Sequence, residues 1–186
     1  MAEETARLFI AAELTDEVKQ EMIRIQDYFK KKELFEGRYP DPQAMHLTLK
    51  FLGDIPIKQI PAIQEALRII LMGPLTMSLD DIHFFGTPQL MKVLFINLFF
   101  SKLPELVRAL DAVLHDFVTP EEREYVAHLT IARVKKVLNP EVLQEAIAAC
   151  QVNQLQFTID SFALKSSTLV GDGHEYADIE RYSLQV

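Results

Sequence analysis

Apolar residues recur along this chain with two periods, and the periods alternate. Near-alternating or continuously apolar runs predict strands at residues 7–14, 44–53, 75–85, 91–99, 126–136, 154–169 (one long or broken strand) and 175–186. Between them the spacing turns helical. Val18, Met22, Ile25 and Phe29 predict a helix capped by Thr15 or Asp16 and ending near Lys32. Its closing run, Lys30 to Lys32, reads as a solvated helix end, where positive charge is favoured. Ile60, Ile63, Leu67 and Ile70 predict a second helix, started by Pro56 and stopped by Gly73-Pro74. Residues 103–117 predict a third, and Pro140 opens a fourth that ends near Cys150. Pro40 and Pro42 make 37–42 a loop, 86–89 is a turn, 121–125 is a charged connection, and Gly171-Asp172-Gly173 signals a hairpin.

The resulting order is β-α-β-α-β-β-α-β-α-β-β, two similar halves with one strand between the helices of each. This predicts an α+β fold: a bilobal, pseudo-two-fold arrangement of mainly antiparallel sheets with helices packed outside. No linker rich in Gly, Pro or Ser divides the chain, so residues 1–186 are expected to form a single domain of two closely packed lobes.

The strands between the helices carry the same text. One begins His46-Leu47-Thr48-Leu49 and the other His128-Leu129-Thr130-Ile131. In an extended strand, alternate side chains share a face. His46 and Thr48 then point one way, with Leu47, Leu49 and Phe51 on the reverse; His128 and Thr130 pair likewise against Leu129 and Ile131. By the same parity Lys50 falls on the His46 face, although a surface lysine is the plainer reading. Arg133 falls on the wrong face for His128 unless the strand ends or bulges near Ala132. A pseudo-two-fold fold brings both stretches to one central groove.

Length and composition fit this picture. A chain of 186 residues that is 49% apolar has ample core. Its one cysteine, Cys150, allows no internal disulfide or cysteine metal site. The acidic Met-Ala-Glu-Glu start is unlike a secretory signal, and no stretch is long enough to span a membrane. A cytoplasmic monomer without a membrane partner is expected. The net charge of −8 argues against broad nonspecific nucleic-acid binding, but Arg133, Lys135 and Lys136 make the second motif locally basic.

Two facing histidines supply a base and an acid near neutral pH, and two hydroxyls beside them hold an oxyanion. That set suits in-line displacement at phosphorus. Metal binding is the rival reading of paired histidines, but no His-Glu-x-x-His or Asp-rich loop accompanies them, and no metal or other cofactor is expected. No Walker loop, dinucleotide fingerprint or serine elbow is present. His83, His115 and His174 lie in no motif. Phe9 reads better as a core residue than as a base-stacking one.

Two His-x-Thr-x copies so placed resemble the 2H phosphoesterase superfamily, and within it the bacterial and archaeal RNA 2′,3′-cyclic phosphodiesterases, the LigT-like family historically called 2′-5′ RNA ligases. The likeness runs through Arg7-Leu-Phe-Ile-Ala11, His46 to Gly53, His128 to Arg133, and Phe162 to Leu169 with Gly173 and Tyr176. It departs at Ala127, where the family often has proline, and in the absence of Trp from 91–99. The resemblance implies metal-independent opening of a 2′,3′-cyclic phosphate at an RNA end to leave a 2′-phosphate. It makes His46 the proton donor to the leaving 3′ oxygen and His128 the acceptor that activates water. Thr48, Thr130 and Arg133 would bind phosphate, Tyr176 would line the groove, and the partners would be RNA ends or nucleotides bearing the cyclic phosphate. Ligation in the 2′-5′ sense, or binding of an RNA end without turnover, remain the alternatives.

Overall fold

A computed structural model describes residues 4–118, 125–171 and 173–185. In chain order the elements are β1 (Thr5–Glu13), α1 (Asp16–Lys32), β2 (Phe35–Arg38), β3 (His46–Pro56), α2 (Ile60–Arg68), β4 (Leu75–Phe85), β5 (Val93–Phe100), α3 (Leu103–Leu114), β6 (His128–Val137), α4 (Pro140–Ala149), β7 (Gln156–Ile159), β8 (Ser161–Val170) and β9 (Gly173–Ser183). The centre of the expected 171–173 turn, Asp172, and most of the charged connection at 121–125 lie outside the described residues. No described helix is long and apolar enough to cross a membrane.

The strands form two antiparallel sheets, one ordered β3-β1-β8-β9 and the other β2-β6-β5-β4-β7. Each sheet carries one motif strand. Leu8, Ile10, Leu47 and Leu49 of the first sheet and Leu94, Ile96, Leu129 and Ile131 of the second are buried in the core with Ile25, Ile63, Leu106 and Leu143 of the helices. Helices α2 and α3 pack on the first sheet, α1 and α4 on the second. The opposite faces meet at the central groove, where β3 approaches β6.

The sheets are not the two halves of the sequence. The expected long strand at 154–169 breaks at Asp160: β7 joins β4 in the second sheet, while β8 crosses to β1 in the first. In exchange, α1 and the short strand β2 come from the start of the chain and pack beside β6. Strand β2 falls partly on residues expected as loop. It exists because β6 offers it a ladder, and only Phe35 of its four residues is buried. Gly37 permits the close approach: a Cβ there would stand 2.4 Å from the Arg133 carbonyl oxygen.

Candidate active site

Each motif strand delivers its histidine in the same way. The Nδ1 of His46 lies 2.8 Å from the Ala44 carbonyl, and the Nδ1 of His128 lies 2.8 Å from the Val126 carbonyl. A carbonyl only accepts, so both Nδ1 atoms carry the proton when the rings are neutral. Among the described residues neither Nε2 has a hydrogen-bond partner, so both can exchange protons with a ligand. The rings are wedged between aromatics. His46 sits 5.0 Å from Phe9 and 5.1 Å from Tyr176, measured between centroids. His128 sits 5.1 Å from Phe85 and 5.3 Å from Phe95. Phe9 is 2% exposed, yet it belongs to the groove floor and not to the helix-side core.

Thr48 and Thr130 are half-buried on the groove face. Thr48 pairs with Ala11, and Thr130 with Phe95. Among the described residues neither hydroxyl has a hydrogen-bond partner, so both are available to a ligand.

Immediately after each threonine the ladder slips. On β3, Ala11 pairs with Thr48 and Ile10 with Lys50, which leaves Leu49 as an extra residue; on β6, Phe95 pairs with Thr130 and Leu94 with Ala132, which leaves Ile131 extra. These are β-bulges, and each reverses the facing of the residues after it. Arg133 therefore turns to the groove face. Its charge disfavours protonation of both His46 and His128. The bulge also overturns two parity expectations on β3. Lys50 points to the helix side, where its ammonium bonds Asp111 of α3 at 2.6 Å. Phe51 leaves the apolar back and lies in the groove, 55% exposed and 6.3 Å from Phe9.

Two side chains without any motif hold the bulges. The Tyr125 hydroxyl donates to the Thr48 carbonyl at 2.9 Å, tying the approach to β6 onto β3. Gln26 of α1, fully buried, donates its amide to the Ile131 carbonyl at 3.1 Å and to the Pro40 carbonyl at 3.0 Å.

Burial is the main force on both imidazoles and pushes each pKa below the ordinary value. The carbonyl hydrogen bonds oppose it, and Arg133 adds to it. His46 also feels Lys165, which lowers its pKa, and Glu13, which raises it. Lys165 is 7% exposed and bonds Glu13 and Asp178, each at 2.5 Å, so its charge is compensated. Beside His46 opens a cavity of about 400 Å³ whose walls include Glu13, Gln43, Lys165, His174 and Tyr176. His174 shares a 2.9 Å hydrogen bond with Ser167. His83 stacks over Phe95 outside this cavity, and His115 lies exposed beside Asp116. Among the described residues no group of three or more His, Cys, Asp or Glu could hold a metal ion.

Known proteins resemble this chain in sequence and fold. The family described as LigT like phosphoesterase matches residues 13–93 and 100–174. An RNA 2′,3′-cyclic phosphodiesterase of Methanocaldococcus jannaschii is 30% identical over 178 residues, covering 95% of this chain and 99% of the relative. Its namesake from Methanothermobacter thermautotrophicus is 30% identical over 182 residues, covering 96% and 98%. Among solved structures, Escherichia coli LigT complexed with 3′-AMP shares the fold with a TM-score of 0.75 at 20% identity, over 98% of this chain and 100% of that one. A Thermus thermophilus protein does so with a TM-score of 0.78 at 24% identity, over 96% and 97%. Match length, identity and fold agree, and the chain belongs to the LigT-like phosphoesterases of the 2H superfamily.

Proposed function

We propose that this protein hydrolyses RNA 2′,3′-cyclic phosphate ends to 2′-phosphates by two-histidine acid–base catalysis, with no metal taking part. The observation that carries this reading is the pair of tautomer-fixed imidazoles, each presenting a free Nε2 beside an unpartnered threonine hydroxyl. The names of the relatives point to the same substrate. The two sheets act as one working domain, since each supplies half of the set.

In the proposed reaction the cyclic phosphate sits between the imidazoles. His128 takes a proton from water at its Nε2 as the oxygen attacks phosphorus. The P–O3′ bond breaks on the far side, and protonated His46 gives its proton to the leaving 3′ oxygen. Thr48, Thr130 and Arg133 hold the phosphoryl oxygens, whose charge is spread in the transition state. Donor and acceptor are assigned by the family resemblance. Either imidazole is fitted for either role, and binding of the anionic phosphate offsets the Arg133 effect that disfavours protonation.

The test is hydrolysis of an oligoribonucleotide 2′,3′-cyclic phosphate in excess EDTA, resolving 2′- from 3′-phosphate products. The expected result is a 2′-phosphate, formed undiminished by EDTA. His46→Ala and His128→Ala should each lower kcat by about 10²–10⁴-fold, the usual worth of a positioned acid or base. A 3′-phosphate product, or full activity in either variant, would overturn the assignment.

A further inference from the structure

The register of β2 on β6 sets Arg38 directly opposite Arg133. Directly opposed residues of an antiparallel ladder project from the same face, and like charges so placed destabilise it. A carboxylate between them would relieve this, but among the described residues neither guanidinium has an ion pair or a hydrogen bond. Glu36 is near, yet it pairs with Lys136 at 3.7 Å. Lys135 is the extra residue of a further bulge, between the Gly37–Val134 and Glu36–Lys136 pairs, and is exposed. Arg38, Arg133 and Lys135 line one concavity of about 480 Å³ with Glu36, Gly37 and Val134. On a chain of net charge −8, this is a local concentration of positive charge without an ion pair among the described residues, and it suits an anion.

That anion is not the reacting phosphate. Arg133 is a groove-facing residue of the motif strand itself, whereas Arg38 belongs to β2, the edge strand beyond it. Arg38 stands one strand further out, about 4.8 Å in a β-sheet. On an RNA end, the next anion outward from the terminal phosphate is the phosphodiester that joins the last nucleotide to the chain.

We propose that Arg38, assisted by Lys135, binds the phosphodiester on the 5′ side of the terminal nucleotide. The enzyme then selects oligonucleotide ends over isolated nucleoside cyclic phosphates. This rests on the function proposed above. A 5′-phosphate on a single nucleotide offers similar chemistry, so the test separates the two.

The experiment measures kcat/KM on a nucleoside 2′,3′-cyclic phosphate, its 5′-phosphorylated form, and a dinucleotide with the same cyclic end. Wild type, Arg38→Gln and Arg133→Gln are compared. Wild type should prefer the dinucleotide, and Arg38→Gln should reduce that preference about tenfold, chiefly through KM, as expected for one charge-assisted phosphate contact. The slope of log(1/KM) for the dinucleotide against log[salt] should shrink by about 0.7, one single-strand phosphate contact. Arg133→Gln should lower all three substrates. A 5′-phosphorylated nucleotide that matches the dinucleotide also supports the anion site and shows that a terminal phosphate satisfies it. Equal losses on every substrate in Arg38→Gln, or no loss on the dinucleotide, would overturn the proposal.

If wild type opens no cyclic phosphate, the functional reading fails separately and binding still decides. A labelled oligonucleotide ending in a 3′-phosphate should then bind Arg38→Gln about tenfold more weakly than wild type; equal binding would overturn the site. Relief of the like-charge pair should leave the thermal midpoint of Arg38→Gln at or above that of wild type. A marked fall would contradict the premise.

Discussion

Strands β3 and β6 begin alike and part after the bulge. Each starts with a histidine whose Nδ1 is held by the carbonyl two residues back, each places a threonine beside it, and each bulges at the next residue. The bulge turns the residue five places after the histidine into the groove. On β6 that residue is Arg133; on β3 it is Phe51. The intervening residue goes to the core side in both: Ala132, fully buried, and Lys50, which needs Asp111 to satisfy its charge there. One backbone device thus serves two purposes. It turns a cation into the groove from one sheet and an aromatic face from the other, while the two histidine–threonine pairs stay matched.

If the matched part carries the chemistry, symmetrical damage should have symmetrical consequences. Thr48→Val and Thr130→Val keep the shape of each strand and remove one hydroxyl donor from the groove. Each should lower kcat by about 10²-fold, the lower end for loss of an oxyanion donor, with KM changing less. Steady-state kinetics on a cyclic-phosphate oligonucleotide checks this. A loss confined to one threonine would show that phosphate leans on one sheet, and the pseudo-symmetry would then be structural only.

A second prediction concerns the histidines together. Burial lowers both pKa values, with Arg133 adding to the effect at each. Turnover needs one imidazole protonated and one neutral, so kcat/KM follows a bell lying between two lowered values. Its optimum should fall below about pH 6.5, the ordinary histidine value, and kcat/KM should decline through neutrality. Arg133→Gln removes a charge that disfavours protonation, so its optimum should move towards higher pH. Stability runs the other way. The unfolded chain holds these protons up to about pH 6.5 and the folded chain loses them at lower pH, so the contribution is full above about pH 6.5. It is lost as pH falls towards the folded values. Chemical denaturation at pH 7 and pH 5 measures it. An optimum above about pH 7.5 would contradict the burial argument.

The matched part was readable in the sequence and the divergent part was not, for a definite reason. Histidine and threonine precede the bulge, so simple alternation puts them on the correct face. The bulged residues, Leu49 and Ile131, are apolar and buried like their neighbours, so no local signal marks them as extra. Alternation carried through them sends Lys50 to the groove and Phe51 to the back, the reverse of what forms. For Arg133 a bulge near Ala132 is the condition for reaching the groove, and one at Ile131 meets it. Strand β2 left little trace because its sequence, Phe-Glu-Gly-Arg, buries one side chain and borrows its order from β6. Arg38 was therefore missed with it. Reading 154–169 as one long or broken strand allows for the break at Asp160, but nothing local says that the pieces join different sheets. Tyr125 and Gln26 act on carbonyls far away in sequence, and such partners are fixed only by tertiary packing.

Those two side chains offer the finest way to separate the strands, because each holds one bulge. Tyr125→Phe deletes the hydroxyl that bonds the Thr48 carbonyl and leaves the ring in place. It should cost about 1 kcal/mol, the usual worth of a neutral hydrogen bond, or about 2–4 °C in Tm for a chain of this size. Gln26→Leu strands two carbonyls, those of Pro40 and Ile131, at about 1–3 kcal/mol for each that remains unpaired. It should therefore destabilise more than Tyr125→Phe. Their kinetic signatures should differ as well. Loosening the β6 bulge frees Arg133, so Gln26→Leu should raise KM and shift the pH optimum in the direction of Arg133→Gln. Tyr125→Phe acts at Thr48 and should lower kcat with the pH optimum unmoved. Were both variants to give the same kinetic change, scaled only by lost stability, the bulges would be features of the fold and not of the site.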